Sequence, residues 1–176
     1  MNRGEWRVES GEKIRPIIPP TAWIADTARV RGHVTLGEHV SVWFGAVIRA
    51  EDEPVTVGDN TNIQDGALLH ISQGFPCRVG ANVTIGHQAI VHGCTVEDGV
   101  LIGMGAIVLD GAVIGRGAIV AAGALVPPGM VVPPETMVVG VPAKNIGPLD
   151  ETKKQLAQRG VDNYVHHKEA YRNGIY

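Results

Sequence analysis

Three of the seven histidines in this 176-residue chain, His70, His87 and His92, stand within one short stretch at a spacing that invites a ligand reading. Neutral imidazole is a good ligand for zinc or iron, and three such nitrogens leave one coordination position open to water. A bound ion lowers the pKa of that water to about 7, so the chemistry on offer is hydroxide attack on a small electrophile. Arg49, Glu51, Asp52, Gln64 and Asp65 lie a little upstream. They suit ion pairing and the holding of an oxygen ligand by hydrogen bonds. His33, His39, His166 and His167 read as ordinary surface or core residues.

Histidines this far apart need a repeating scaffold to meet, and the chain has one. Aliphatic residues recur every six positions, as at Ile24, Val30, Leu36, Val42 and Ile48, and again from Val96 through Ile102, Val108 and Ile114 to Val138. Glycine often follows directly, and alanine recurs four places later. A six-residue period fits neither an amphipathic helix nor a long alternating strand. It fits a short strand with an inward aliphatic residue, a tight corner, and another short strand. Three units per coil stack as parallel strands about 4.8 Å apart. The expected fold is an all-β solenoid of about six coils.

That register places the candidate side chains. Arg49, His70 and His92 each follow an inward residue of one face (Ile48, Leu69, Val91), so they form a vertical ladder on one outward line. Asp65 and His87 lie two positions after Ile63 and Ile85 on the preceding face, with Gln64 one step nearer. His70 and His92 therefore approach each other, while His87 turns toward a different edge. Within one chain the three imidazoles do not converge; across a trimer interface, with His87 supplied by a neighbour, they can.

Three breaks interrupt the count: three extra positions near residues 51–54, four near 72–76, and one missing between Val91 and Val96. Insertions into a solenoid are expected as loops thrown out from a corner. Residues 1–20, with Pro16, Pro19 and Pro20, read as an extended lead-in, and residues 21–146 as the solenoid. Residues 149–173 read as a helical segment packed on it, in two stretches, one opening at an Asp150 N-cap and the second over residues 161–172.

Composition agrees: hydrophobic residues make up 44% of the chain but aromatics only 5%, with 23 glycines and 11 prolines, which favours a Val/Ile/Leu/Ala core punctuated by turns. The formal charge of −3 gives no reason to expect nucleic acid or an anionic membrane as partner. No apolar run is long enough for a membrane span. No signal-peptide pattern opens the chain. Cys77 and Cys94, without a CxxC, read as small buried residues in a reducing, cytoplasmic setting.

The stretches Val47-Ile48-Arg49, Asn62-Ile63-Gln64-Asp65-Gly66, Leu69-His70 and Ile85-Gly86-His87 through Val91-His92-Gly93-Cys94 resemble the γ-class carbonic anhydrase family. The resemblance covers residues 12–172. It implies a left-handed parallel β-helix with a C-terminal α-helix, assembled as a homotrimer with three interfacial sites that interconvert carbon dioxide and bicarbonate. His70 and His92 of one subunit and His87 of the next would hold Zn2+, with Fe2+ or Co2+ as alternatives. Gln64 would position the oxygen ligand, and Arg49 would pair with Asp65 across the interface. Tyr164 resembles a helix tyrosine that faces the metal.

Two departures from the family pattern matter. Glu51 stands where the family usually has aspartate, so either Glu51 or Asp52 takes that role. The long acidic loop of the archetypal enzyme is replaced by Ile71-Ser72-Gln73-Gly74-Phe75-Pro76, without a carboxylate to relay protons. A weakly active or non-catalytic metal-binding protein is therefore one alternative. A hexapeptide acyltransferase is another, because Val139-Gly140-Val141-Pro142-Ala143-Lys144 also resembles the way those enzymes end.

Overall fold

In the structure, a computed structural model describing residues 14–176, most hexads contribute a two- or three-residue strand with the aliphatic side chain turned inward. Successive coils pair in parallel register and stack these side chains in three columns. One runs from Ile24 through Val42, Ile63, Ile85, Ile102 and Val120 to Val138. The second runs from Val30 through Ile48, Leu69, Val91 and Val108 to Val126. The third runs from Leu36 through Val57, Val79, Val96 and Ile114 to Val132. Apart from Ile24 all are buried, and the alanines at the corners, such as Ala67, Ala89 and Ala106, are buried with them. The result is the expected parallel β-solenoid of about six coils with one C-terminal helix. The part of the 1–20 lead-in before residue 14 lies outside the described residues.

The first insertion differs from expectation. Residues 51–54 are not a loop but part of the strand Val47–Val57, which rounds a corner unbroken beside Arg29–Leu36. Val55–Val57 still pairs with both neighbouring coils, so the extra residues are absorbed as a slip in register, as in a β-bulge. The second insertion is a tight turn in which Phe75 N donates to Ser72 O at 2.8 Å. Glu53 Oε1 accepts from Gly74 N at 3.1 Å, so the two insertions brace each other.

The C-terminal segment also differs: one helix, Glu151–Arg172, replaces the two expected stretches. Gly160 does not end it, because this glycine serves close approach. A Cβ built there would lie 3.0 Å from Thr84 Oγ1 on the solenoid face. The helix runs back along the prism from late coils to early ones. Lys154 Nζ meets Glu135 at 2.7 Å, Tyr164 meets His87, and Arg172 Nη2 donates to Pro20 O at 2.8 Å. Its 22 residues span about 33 Å, enough to cross six strand spacings of about 4.8 Å.

Asp150 is the N-cap, accepting from Lys153 N at 2.8 Å. An Asp150→Ala variant should melt roughly 3 °C lower, read by thermal circular dichroism. An unchanged midpoint would mean that the cap contributes nothing.

Among the described residues, no helix is long and apolar enough to cross a membrane. Both cysteines are buried. The Cys94 thiol is pushed well above its ordinary pKa by a hydrogen bond with Cys77 and by burial, so it stays protonated and is a poor nucleophile or ligand.

Candidate functional site

Strands Leu68–His70 and Ile90–His92 lie in adjacent coils, with His70 directly opposite His92. Because Leu69 and Val91 point inward, the flanking histidines point out, as strand alternation requires. The imidazoles face each other with His70 Nδ1 and His92 Nε2 3.0 Å apart. The remaining nitrogen of each meets a carboxylate: His70 Nε2 lies 3.1 Å from Glu51 Oε2, and His92 Nδ1 lies 2.6 Å from Asp110 Oδ1. A continuous row, Glu51–His70–His92–Asp110, thus runs up one edge of the prism. Arg49 pairs with Glu51 on the same strand.

His87 sits elsewhere, just after the strand Thr84–Ile85. Its Nδ1 lies 3.0 Å from Asp65 Oδ2, and the Tyr164 hydroxyl is 3.3 Å from its Nε2. Gln64 Oε1 accepts from the His87 backbone N at 3.1 Å, while Gln64 Nε2 donates to Asn62 Oδ1 at 3.1 Å. Asn62 in turn donates to Thr84 Oγ1 at 3.0 Å. Gln64 and Asn62 are both buried, so this chain of amides locks the corner that carries His87. Burial and the nearby charge of Asp65 push the Tyr164 pKa up to about 12, which keeps the phenol a neutral O–H donor.

His70 and His92 are therefore brought together, with Glu51 beside them, whereas His87, Asp65, Gln64 and Tyr164 form a second group. Among the described residues, no three His, Cys, Asp or Glu side chains of one chain gather closely enough to hold a metal ion. Glu51 rather than Asp52 reaches His70, as the alternation of side chains along the strand Val47–Val57 requires.

Two participants escape a reading based on the histidines. Asp110 lies one coil beyond His92, and the missing position after Val91 obscures its alignment in the count. Asn62 has a visible signal: Ser41, Asn62 and Thr84 stack in register where other coils place Trp23, Leu101, Ile119 and Met137.

The donor set fits a divalent transition ion. Every candidate ligand turns one ring nitrogen to a carboxylate, and a ring that donates its proton there keeps the other nitrogen as a lone-pair donor. Between His70 and His92 two such nitrogens face each other, an arrangement that needs a proton or a cation between them.

A cleft of about 540 Å³ opens beside Gln64, His87 and Tyr164, with Leu101, Met104, Ile119, Met137 and Leu156 among its walls. Met104 and Leu156 are 59% and 60% exposed.

The family model described as bacterial transferase hexapeptide (six repeats) matches residues 93–128. The crystal structure of a hexapeptide transferase family protein from Anaplasma phagocytophilum has a TM-score of 0.86 at 36% identity, covering 90% of this chain and 93% of that one. The "Gamma carbonic anhydrase 1, mitochondrial" of Arabidopsis thaliana is 45% identical over 95 residues, 51% of this chain and 34% of its own length. The "Probable carbonic anhydrase" of Methanocaldococcus jannaschii is 48% identical over 142 residues, 81% of this chain and 89% of its own length. A relative at that identity and coverage decides the matter: the chain belongs to the γ-class carbonic anhydrase-like family of hexapeptide-repeat proteins.

Proposed function

We propose that the protein catalyses metal-dependent, reversible hydration of carbon dioxide to bicarbonate, at sites formed between the subunits of a homotrimer. One observation carries this reading: a facing His70–His92 pair on one edge and His87 on another, each imidazole anchored through one nitrogen by a carboxylate. His70 and His92 of one subunit and His87 of a neighbour would hold Zn2+, and Fe2+ or Co2+ suits the same donors. Such an ion, when bound, supplies Lewis acidity that brings the pKa of water to about 7.

The chain's own residues do the rest. Glu51, Asp65 and Asp110 orient the imidazoles. Gln64 Nε2 carries a second N–H that can donate to an oxygen of bicarbonate. Tyr164, held neutral, can donate another. Arg49, half-exposed and paired with Glu51 on its own strand, would also meet Asp65 of the next subunit. Exposed Met104 and Leu156 beside His87 give a neighbouring copy an apolar surface to bury.

The absence of a carboxylate in Ile71-Ser72-Gln73-Gly74-Phe75-Pro76 favours a second reading, a metal-binding protein with weak turnover or none. Elemental analysis of anaerobically purified protein, with carbon dioxide hydration followed on the same sample, separates the two. We expect about one ion per chain together with hydration. Full occupancy without hydration would select the second reading, and no bound metal would remove both.

The transferase names of the repeat and of the structural neighbour reflect a solenoid that acyltransferases share. An acyltransferase needs a single histidine as base, and three carboxylate-anchored imidazoles exceed that need. Thermal stabilisation by acetyl coenzyme A would reopen that assignment.

A further inference from the structure

We propose that Asp110 is a positioning residue for His92 and that Phe75 seals the bond between them. The consequence for metal affinity rests on His92 being a ligand, whereas the positioning itself does not. Asp110 Oδ1 accepts from His92 Nδ1–H at 2.6 Å, the shortest of the three carboxylate–imidazole contacts. With the proton on Nδ1, the Nε2 lone pair is aimed at His70. A flipped ring would put carbon against the carboxylate and lose both directions at once.

The backbone is shaped to permit this contact. Gly93 adopts φ +53° where the coil turns one residue early, and a Cβ built there would overlap the Asp110 carboxylate. The same Cβ would lie 2.9 Å from Phe75 Cβ. Gly93 N donates to His70 O at 3.0 Å and Gly111 N to Gly93 O at 2.7 Å. These bonds stack the corners so that Asp110, the residue before Gly111, comes level with His92, the residue before Gly93.

Phe75 spans both glycines: its Cε1 would be 3.2 Å from a Cβ on Gly111. The turn that carries Phe75 is held by the Gly74–Glu53 hydrogen bond. The short loop thus sets an aromatic ring against the two glycines that directly follow His92 and Asp110. Keeping water from a charge-assisted hydrogen bond strengthens it.

The test uses full-length, metal-free, 15N-labelled protein. Long-range proton–nitrogen correlation spectra should show His92 as the Nδ1–H tautomer in the parent. Asp110→Ala should give a tautomer mixture, while Asp110→Asn, which keeps an acceptor oxygen of the same shape, should retain Nδ1–H. Competition titration should then give a zinc Kd raised roughly 10- to 100-fold in Asp110→Ala, less in Asp110→Asn, and a few-fold in Phe75→Ala. A purely structural role would lower the melting temperature without moving the tautomer. An Nε2–H tautomer in the parent, or a tautomer unchanged in Asp110→Ala, would overturn the proposal. If the parent binds no zinc, the metal reading fails and the tautomer spectra still decide the role of Asp110.

Discussion

Substituting His70 with alanine should weaken zinc binding by about a thousandfold and abolish carbon dioxide hydration, with the solenoid still folded. Four-ligand structural zinc sites bind with an apparent free energy of about 10–16 kcal/mol, roughly 3–4 kcal/mol per ligand, so losing one imidazole should remove about 4 kcal/mol. The fold should survive because His70 points outward from its corner. The residue that holds that coil is Leu69, which is fully buried in the column between Ile48 and Val91. Competition with a chelator of known affinity gives the Kd, and thermal unfolding reports the fold. Parent-like zinc affinity in His70→Ala would show that His70 is not a ligand, and the proposed centre would fall with it.

Mixing two inactive variants should restore activity. His70→Ala lacks a ligand on one edge and His87→Ala lacks one on another, so each homotrimer has no complete site. In trimers assembled at random from equal amounts of both, roughly a quarter of the interfaces join an intact His70–His92 edge to an intact His87. About a quarter of parental hydration and high-affinity metal content is therefore expected after co-refolding. No recovery, with mixed trimers verified by mass spectrometry, would mean that all three ligands act within one chain or that the site is different. The single-chain geometry favours recovery, because His87 is engaged by Asp65 and Tyr164 while His70 and His92 face each other.

Tyr164 illustrates how the helix enters the site. Its ring packs edge-on against Trp43 at 5.0 Å, which holds the hydroxyl beside His87. Nothing in the local sequence Asn163-Tyr164-Val165 indicates which coil it will meet. That depends on the helix lying antiparallel to the stacking direction and on its continuing through Gly160.

The sequence by itself determined the solenoid, because a strict six-residue period allows one inward residue per unit and stacks equivalent positions in successive coils. The facing of His70 and His92, and the separate edge of His87, follow from the same count. The tertiary structure alone decided what occurs where that count is interrupted or where a distant segment packs. The three extra positions near residues 51–54 remained in a strand, which brought Glu51, not Asp52, to His70. The missing residue near Gly93 brought Asp110 against His92 from the following coil. Gly160 lies against Thr84 within a helix that runs unbroken from Glu151 to Arg172, where two stretches were expected. Periodicity specifies which way a strand side chain points, but corner contacts and helix docking depend on space left by residues far away in the chain.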